Sequence, residues 1–152
     1  MKKRILSLTL TLSALSACND SPLLNHKYGE NPKTQENENC PLSFPNNKLC
    51  SKIEWIVGPN GDGANSFNLK FWDSETGNKE GPYVDPEDSV NVQLWMPSMG
   101  HGSAPVTVER QEEGIYKATN VQFIMPGDWD IRVKLMDAAT VVDQDIESLI
   151  IQ

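Results

Sequence analysis

The sequence predicts an all-β domain, an antiparallel immunoglobulin-like β-sandwich of about seven strands. From about Lys52 onward, apolar and polar residues alternate in short runs, as in strands with one buried face. Gly, Pro, Asn and Asp interrupt these runs at intervals of about 8 to 12 residues. No segment has a sustained helical period, which favours a sandwich over a fold that contains helices.

Alternation defines each strand in turn. The seven predicted strands are residues 53–57, 67–72, 90–96, 106–108, 116–124, 129–135 and 141–151. The third strand places Met96 on its apolar face, at the rim of the core. Trp72 and Trp95 fall on the polar faces of their strands, and Trp129 is expected to anchor the core. The polar segment 73–88 is long enough to cross between the two sheets.

Residues 1–17 predict a lipoprotein signal peptide. Three basic residues at positions 2–4 precede an apolar segment, 5–15, that is too short to span a bilayer. Leu15-Ser16-Ala17-Cys18 resembles the lipobox of bacterial lipoproteins, which implies cleavage before Cys18 and acyl chains on its thiol and new amino group. Asn19 favours an outer-membrane anchor facing the periplasm. The alternative is an ordinary secreted protein with a chance cysteine.

Net charge limits the partners. Without the leader the chain has ten basic and twenty-one acidic residues, a net charge of −11. Such a surface repels nucleic acid and anionic headgroups, so we expect no nucleic-acid partner and membrane contact only through the lipid. Residues 18–39 are polar and contain few large apolar side chains, which predicts a flexible tether with a solvated His26.

Cys40 and Cys50 remain once Cys18 is lipidated. An even pair in an oxidising compartment predicts a disulfide, here with nine residues between the cysteines. A loop of this length contributes about 2 to 3 kcal/mol to stability. This loop opens a domain predicted over residues 40–152. The alternative, a thiol pair that carries copper or exchanges electrons, more usually has a two-residue spacing.

Met96, Met99 and His101 lie within six residues at the end of the third strand. Thioether and imidazole groups are soft, neutral ligands that suit Cu(I) and need no free thiolate. The alternative is that Met96 and Met99 fill irregular gaps at the mouth of the core, with His101 as a polar turn residue.

Two motifs together carry a family resemblance. The Met-Pro-Ser-Met-Gly-His loop at 96–101 and the Met-Pro-Gly-Asp-Trp segment at 125–129 resemble the YtkA-like and FixH-like small extracytoplasmic domains of bacteria. The resemblance covers about residues 88–137. It implies an exported β-sandwich in a group often linked to copper handling or to assembly of copper-containing oxidases, and hence a protein partner in one of these processes. A lipobox in place of a transmembrane anchor departs from the FixH type.

Carried over to this chain, the resemblance implies a site formed by Met96, Met99, His101 and Met125. Such ligands suit Cu(I) or Ag(I) and are poor for Zn(II). Trp95 is a candidate cap through a cation–π contact, although strand parity points it away from Met96. For Met125 the alternative is a core residue before a tight turn.

No catalytic residues are predicted, since the domain has one His and no nucleophile turn or phosphate-binding loop. The predicted function is Cu(I) buffering or delivery by a lipid-anchored periplasmic protein, not an enzyme. The alternative is a metal-free interaction or scaffold lipoprotein, with the loop as a hydrophobic anchor.

Overall fold

The computed structural model describes residues 38–152, which form two antiparallel β-sheets. The strands are β1 (Leu42–Phe44), β2 (Leu49–Val57), β3 (Asn65–Asp73), β4 (Ser89–Met96), β5 (His101–Gly102), β6 (Thr107–Glu112), β7 (Ile115–Val121), β8 (Gly127–Asp137) and β9 (Thr140–Ile151). One sheet has the order β1-β2-β3-β7-β6 and the other β5-β4-β8-β9. The predicted β-sandwich is confirmed, with nine strands rather than about seven.

Several predictions concern residues 1–37 and lie outside the described residues. They are the signal peptide, lipidation of Cys18, most of the tether and the solvated His26. Residues 38–152 include no helix with the length and apolar character needed to cross a membrane.

The core lies between the two sheets. Phe67, Leu69 and Phe71 of β3 are fully buried, as are alternate residues of β8. Trp129 is fully buried and its indole N–H donates to the Met125 carbonyl at 3.0 Å, which confirms it as a core anchor. Residues 35–152 form one compact unit. All members of the core cluster lie within residues 42–151, so this unit contains its own core and is expected to fold by itself.

The predicted disulfide is present, with the Cα atoms of Cys40 and Cys50 5.1 Å apart. No strand was predicted in the loop between them, which forms the β1–β2 hairpin, in which Phe44 pairs with Leu49. Leu42 and Phe44 are fully buried. The three residues of β1 are too few for alternation to be recognised. The first predicted strand began at Ile53 rather than Leu49 because apolar and polar residues do not alternate over residues 49–52.

Side-chain carboxylates fasten this hairpin to the second sheet. The Ser43 N–H donates to the Asp145 carboxylate at 2.6 Å, and the Asn46 N–H donates to Asp143 at 2.8 Å. These bonds join the β1 edge of one sheet to β9 at the edge of the other.

The prediction for Trp72 was wrong, because this residue is only 1% exposed. It occupies the outer face of β3, where its register partner is Cys50. The connection after β3 folds close to this face, since a Cβ built on Gly77 would lie 3.0 Å from the Trp72 Cβ. The polar composition of that connection gave no sign that it shelters an aromatic side chain.

Asp85 ties the same connection, which crosses between the sheets as predicted, to the β6–β7 hairpin. Its carboxylate accepts hydrogen bonds from Arg110 Nε at 3.0 Å and Nη2 at 2.7 Å, from the Gly114 N–H at 2.9 Å and from the Tyr116 hydroxyl at 3.1 Å. The Arg110 hydrogen bonds, more than any other contact, lower the pKa of Asp85 to about 2.

Candidate functional site

The Met-His loop connects β4 to the two-residue strand β5. Met96 is 4% exposed at the end of β4, which confirms its position on the inner face at the rim. Its carbonyl accepts hydrogen bonds from the Met99 N–H at 3.2 Å and the Gly100 N–H at 2.9 Å. Pro97 has no N–H for the strand ladder, and Gly100 has a φ of 68°, a left-handed conformation that glycine adopts without strain. These features reverse the chain tightly between Met96 and His101.

Met96 and His101 are register partners across β4 and β5. Directly opposed residues of an antiparallel pair have their side chains on the same face, with Cβ atoms about 4.5 to 5.5 Å apart. The thioether and the imidazole therefore project to the same side. His101 Nδ1 lies 3.1 Å from the Gly102 carbonyl oxygen. A proton on Nδ1 engages that oxygen and leaves the Nε2 lone pair available to a metal ion.

The turn that follows Met125 lies against Met96. A Cβ built on Gly127 would be 2.5 Å from the Met96 Cε, so a side chain at this position would displace the Met96 methyl group. Gly127 also has a φ of 134°. Met125 itself is half-buried and packs against the core cluster. The structure thus brings Met96, His101 and the 125–127 turn together.

Met99 differs from its neighbours because it is 58% exposed. The core-filling interpretation holds for Met96, which belongs to the core cluster, and partly for Met125. It does not explain Met99, whose side chain contributes little to packing.

Trp95 lies on the opposite face of β4 from Met96, as strand parity predicts. Its ring lies 4.8 Å from the Arg132 guanidinium carbon, and Arg132 Nη2 lies 3.6 Å from Asp130 Oδ2. The cation over this ring is therefore Arg132. Alternation along β4 and β8 places Trp95 and Arg132 on the outward faces of neighbouring strands. This pattern could have predicted their contact from the sequence.

Asn65 is a further residue that the sequence analysis missed. It is buried at the start of β3, where its side-chain oxygen accepts from the Asn60 N–H at 2.8 Å. Its amide nitrogen donates to the carbonyls of Asn60 at 3.0 Å and Val121 at 3.2 Å. Asn65 thereby fixes the β2–β3 loop beside the end of β7. An asparagine in a turn-rich segment carries no pattern that would have indicated this role.

Acidic residues predominate at this end of the sandwich, and Arg132, the residue that follows it in β8, pairs with Asp130. We call this end the loop end; it comprises residues 56–66, 95–107, 119–131 and 147–152. These segments contain Asp62, Asp128, Asp130 and Glu147 and neither lysine nor arginine. The electrostatic environment therefore favours a cation over an anion.

Among residues 38–152, no three His, Cys, Asp or Glu side chains form a group that could hold a metal ion. The predicted ligands, three thioethers and one imidazole, suit Cu(I) better than Zn(II). A polar depression of about 340 Å³ at the opposite end contains none of the predicted ligands. It is lined by Asn46, Asn47, Lys48, Leu49, Asp85 and Glu87.

A family model described as YtkA-like matches residues 57–134, just over half of the chain. The matched segment extends from the end of β2 into β8 and contains all four predicted ligands. No match to a curated protein was found.

Proposed function

This chain belongs to the YtkA-like family, and we propose that it is an exported, lipid-anchored protein that binds Cu(I) at the loop end. The ligands in this proposal are Met96, Met99, His101 and Met125. Cys18 carries the lipid, and the copper is buffered or passed to a protein partner in copper transfer or oxidase assembly.

The pairing of Met96 with His101 is the observation that carries the proposal. Two donor groups on one side of a hairpin need only a small movement to share an ion, because the β4–β5 register already sets their separation. The register also restrains the two backbones before metal arrives, which lowers the ordering cost of binding.

Met99 has a different role in the proposal. Its exposed thioether at the loop tip is the first donor that an approaching ion or partner meets. A flexible, polarizable side chain in this position can exchange between the site and a partner's ligand without opening the core. Met125, half-buried behind the loop, is the fourth donor.

Cu(I) supplies no acid–base chemistry here. The ligands are neutral, so the bound ion keeps its positive charge, and the acidic residues of the loop end stabilise that charge. A site without thiolates also stays intact in an oxidising compartment, consistent with the use of Cys40 and Cys50 in a disulfide.

Competition with a chromogenic Cu(I) chelator tests the proposal, using residues 19–152, which contain the whole compact unit. We expect one Cu(I) per chain, and Met99→Ala or His101→Ala should weaken binding by about tenfold or more, as the loss of a ligand requires.

Met136→Leu is the matched control. Met136 pairs with Ser89 near the far end of β8 and should leave the affinity unchanged. Unchanged affinity in both loop variants would reject the site. If the intact protein retains no Cu(I), the interaction module becomes the better interpretation.

A further inference from the structure

The outward side of the β5-β4-β8-β9 sheet exposes more apolar surface than is usual for the solvated side of an antiparallel sheet. Seven large hydrophobic residues are exposed among residues 38–152, and three of them lie on β9: Val141, Ile146 and Ile150. Their register partners on β8 are Met136, Arg132 and Asp128. These partners are spaced four residues apart, so they share one face of β8, and directly opposed residues also share a face. The three apolar side chains therefore belong to one surface.

β4 completes this surface on the other side of β8. Gln93 pairs with Arg132, and Trp95 pairs with Asp130. The Trp95 ring lies 4.8 Å from the Arg132 guanidinium carbon, and Lys134 Nζ donates to Gln93 Oε1 at 2.7 Å. We call the outward side chains of β4, β8 and β9 the outer face.

The charged residues of the outer face all lie on β8, in an order that changes sign at its centre. Two acidic residues, Asp128 and Asp130, precede two basic residues, Arg132 and Lys134, along the strand. The outward residues of β4 and β9 that pair with β8 are all uncharged. A copy turned by 180° presents the basic residues first, so the outer face is electrostatically complementary to itself.

The first and last of these four charges are available to such a copy. The inner two are already close within the chain, since Arg132 Nη2 lies 3.6 Å from Asp130 Oδ2, and Asp130 Oδ1 accepts from the Ser148 hydroxyl at 2.8 Å. Asp128 and Lys134 have no ion pair among residues 38–152. A second copy can therefore add an opposite charge to each of them.

We propose that a second copy of this chain docks on the outer face, about a two-fold axis that places Asp128 of each copy opposite Lys134 of the other. The axis lies between the two sheets, across the strands and level with Ile131. Ile146 pairs with Arg132, one residue from that level, so the Ile146 side chains of the two copies lie near the axis and pack together. This packing removes from water a side chain that is 41% exposed in the single chain.

The size of the outer face predicts a weak dimer. Three strands about 4.8 Å apart, with their side chains and a length of about eight residues, present roughly 400 Å² per copy, against about 800 Å² in a standard interface. The net charge of −11 of the chain without its leader opposes association, but about 0.15 M salt screens charges more than roughly 8 Å apart. Association should therefore be detectable at high chain concentration.

Sedimentation equilibrium of metal-free residues 19–152, up to millimolar concentration in about 0.15 M salt, tests the inference. We expect reversible dimerisation. Asp128→Lys and Lys134→Asp should each weaken it at least about tenfold, because each change replaces two attractions with two repulsions. An equimolar mixture of the two variants should recover the affinity, since one chain then has Lys and the other Asp at both positions. A change in folding would not produce that recovery.

Glu109→Lys and Lys117→Asp are matched controls. The two residues form an opposed pair of the same kind on the other sheet, and the variants alter the net charge by the same amounts. Both should stay within about twofold of the unaltered chain, alone or mixed. Ile146→Ser should weaken dimerisation severalfold, whereas Ile56→Ser, at an exposed position on β2, should not. Circular dichroism verifies folding.

Three results would overturn the inference. They are a monomeric unaltered chain at millimolar concentration, a mixture that associates no better than its component variants, and equal loss in the outer-face and control variants. None of them depends on Cu(I), because no metal is present and none of the altered residues is a proposed ligand. Failure here is therefore distinguishable from failure of the copper proposal.

Discussion

Met96 and His101 stand opposite each other on the last rung of the β4–β5 hairpin, and the Met96 methyl group fills the space left by the missing side chain of Gly127. One methionine thus serves both the core and the candidate site. A change that alters its packing should therefore change metal affinity as well as stability.

Gly127→Ala tests this coupling. The new Cβ collides with Met96 Cε, and the φ of 134° is unfavourable for alanine. We expect a loss of about 1 to 3 kcal/mol in the free energy of unfolding together with weaker Cu(I) binding. Gly63→Ala is the control, since Gly63 also has a positive φ but no atom would lie within 4 Å of its new Cβ. Urea denaturation and chelator competition on both variants should show similar destabilisation, with weaker Cu(I) binding only in Gly127→Ala.

Trp95→Leu should leave Cu(I) affinity within about twofold, because the ring faces Arg132 on the other side of the sheet. The loss of the cation–π contact should cost about 0.5 to 1 kcal/mol of stability. A tenfold fall in affinity, measured by the same chelator competition, would instead restore Trp95 as a cap on the metal.

The lowered pKa of Asp85 predicts that the folded protein loses stability in acid. Its pKa is lowered to about 2 in the folded protein, so the unfolded chain takes up the proton first as the pH falls. The stabilisation is complete above the ordinary aspartate pKa of about 3.9 and is lost as the pH falls toward 2. Asp85→Asn should lower the melting temperature at pH 7 and flatten its dependence between about pH 4 and 2. An unchanged slope in that interval would show that other carboxylates control acid unfolding.

Asp143→Ala should weaken the attachment of the β1–β2 hairpin to β9. Asp143 is 7% exposed and accepts the N–H groups of Asn46 at 2.8 Å and Asn47 at 3.3 Å. We expect about 1 to 2 kcal/mol of destabilisation in urea and faster amide exchange at both residues. Asp137→Ala, at an exposed position at the end of β8, should cost less than about 0.5 kcal/mol. Equal effects of the two changes would show that Asp143 does not hold the hairpin against β9.

Cys18→Ala should release the exported protein from the membrane. In the proposed lipoprotein the acyl chains on Cys18 should provide the attachment, because the net negative charge of the chain opposes binding to anionic lipid. Membrane fractionation and labelling with radioactive palmitate measure this. A Cys18→Ala protein that still sediments with membranes, or an unaltered protein without label, would contradict lipidation.

Long alternating runs were reliable guides to this fold. Residues 129–135 and 90–96 predicted their strands and buried faces correctly, because strict alternation over six or more residues matches the period of a strand and not that of a helix. The short apolar pair Leu42 and Phe44 had no such support, and β1 was missed. Trp72 lies on the predicted face but is buried, because the face of a strand does not indicate which loop folds over it.

By itself, the sequence determined the sandwich, the disulfide pair and the soft character of the Met-His loop, since all of these depend on residue type and spacing along the chain. Only the tertiary structure decided that Met99 is exposed, that Trp95 faces Arg132, and that Asp85 and Asp143 bind loops far away in the chain. Those outcomes depend on contacts between strands that are distant in sequence, and local patterns carry no information about which strands meet.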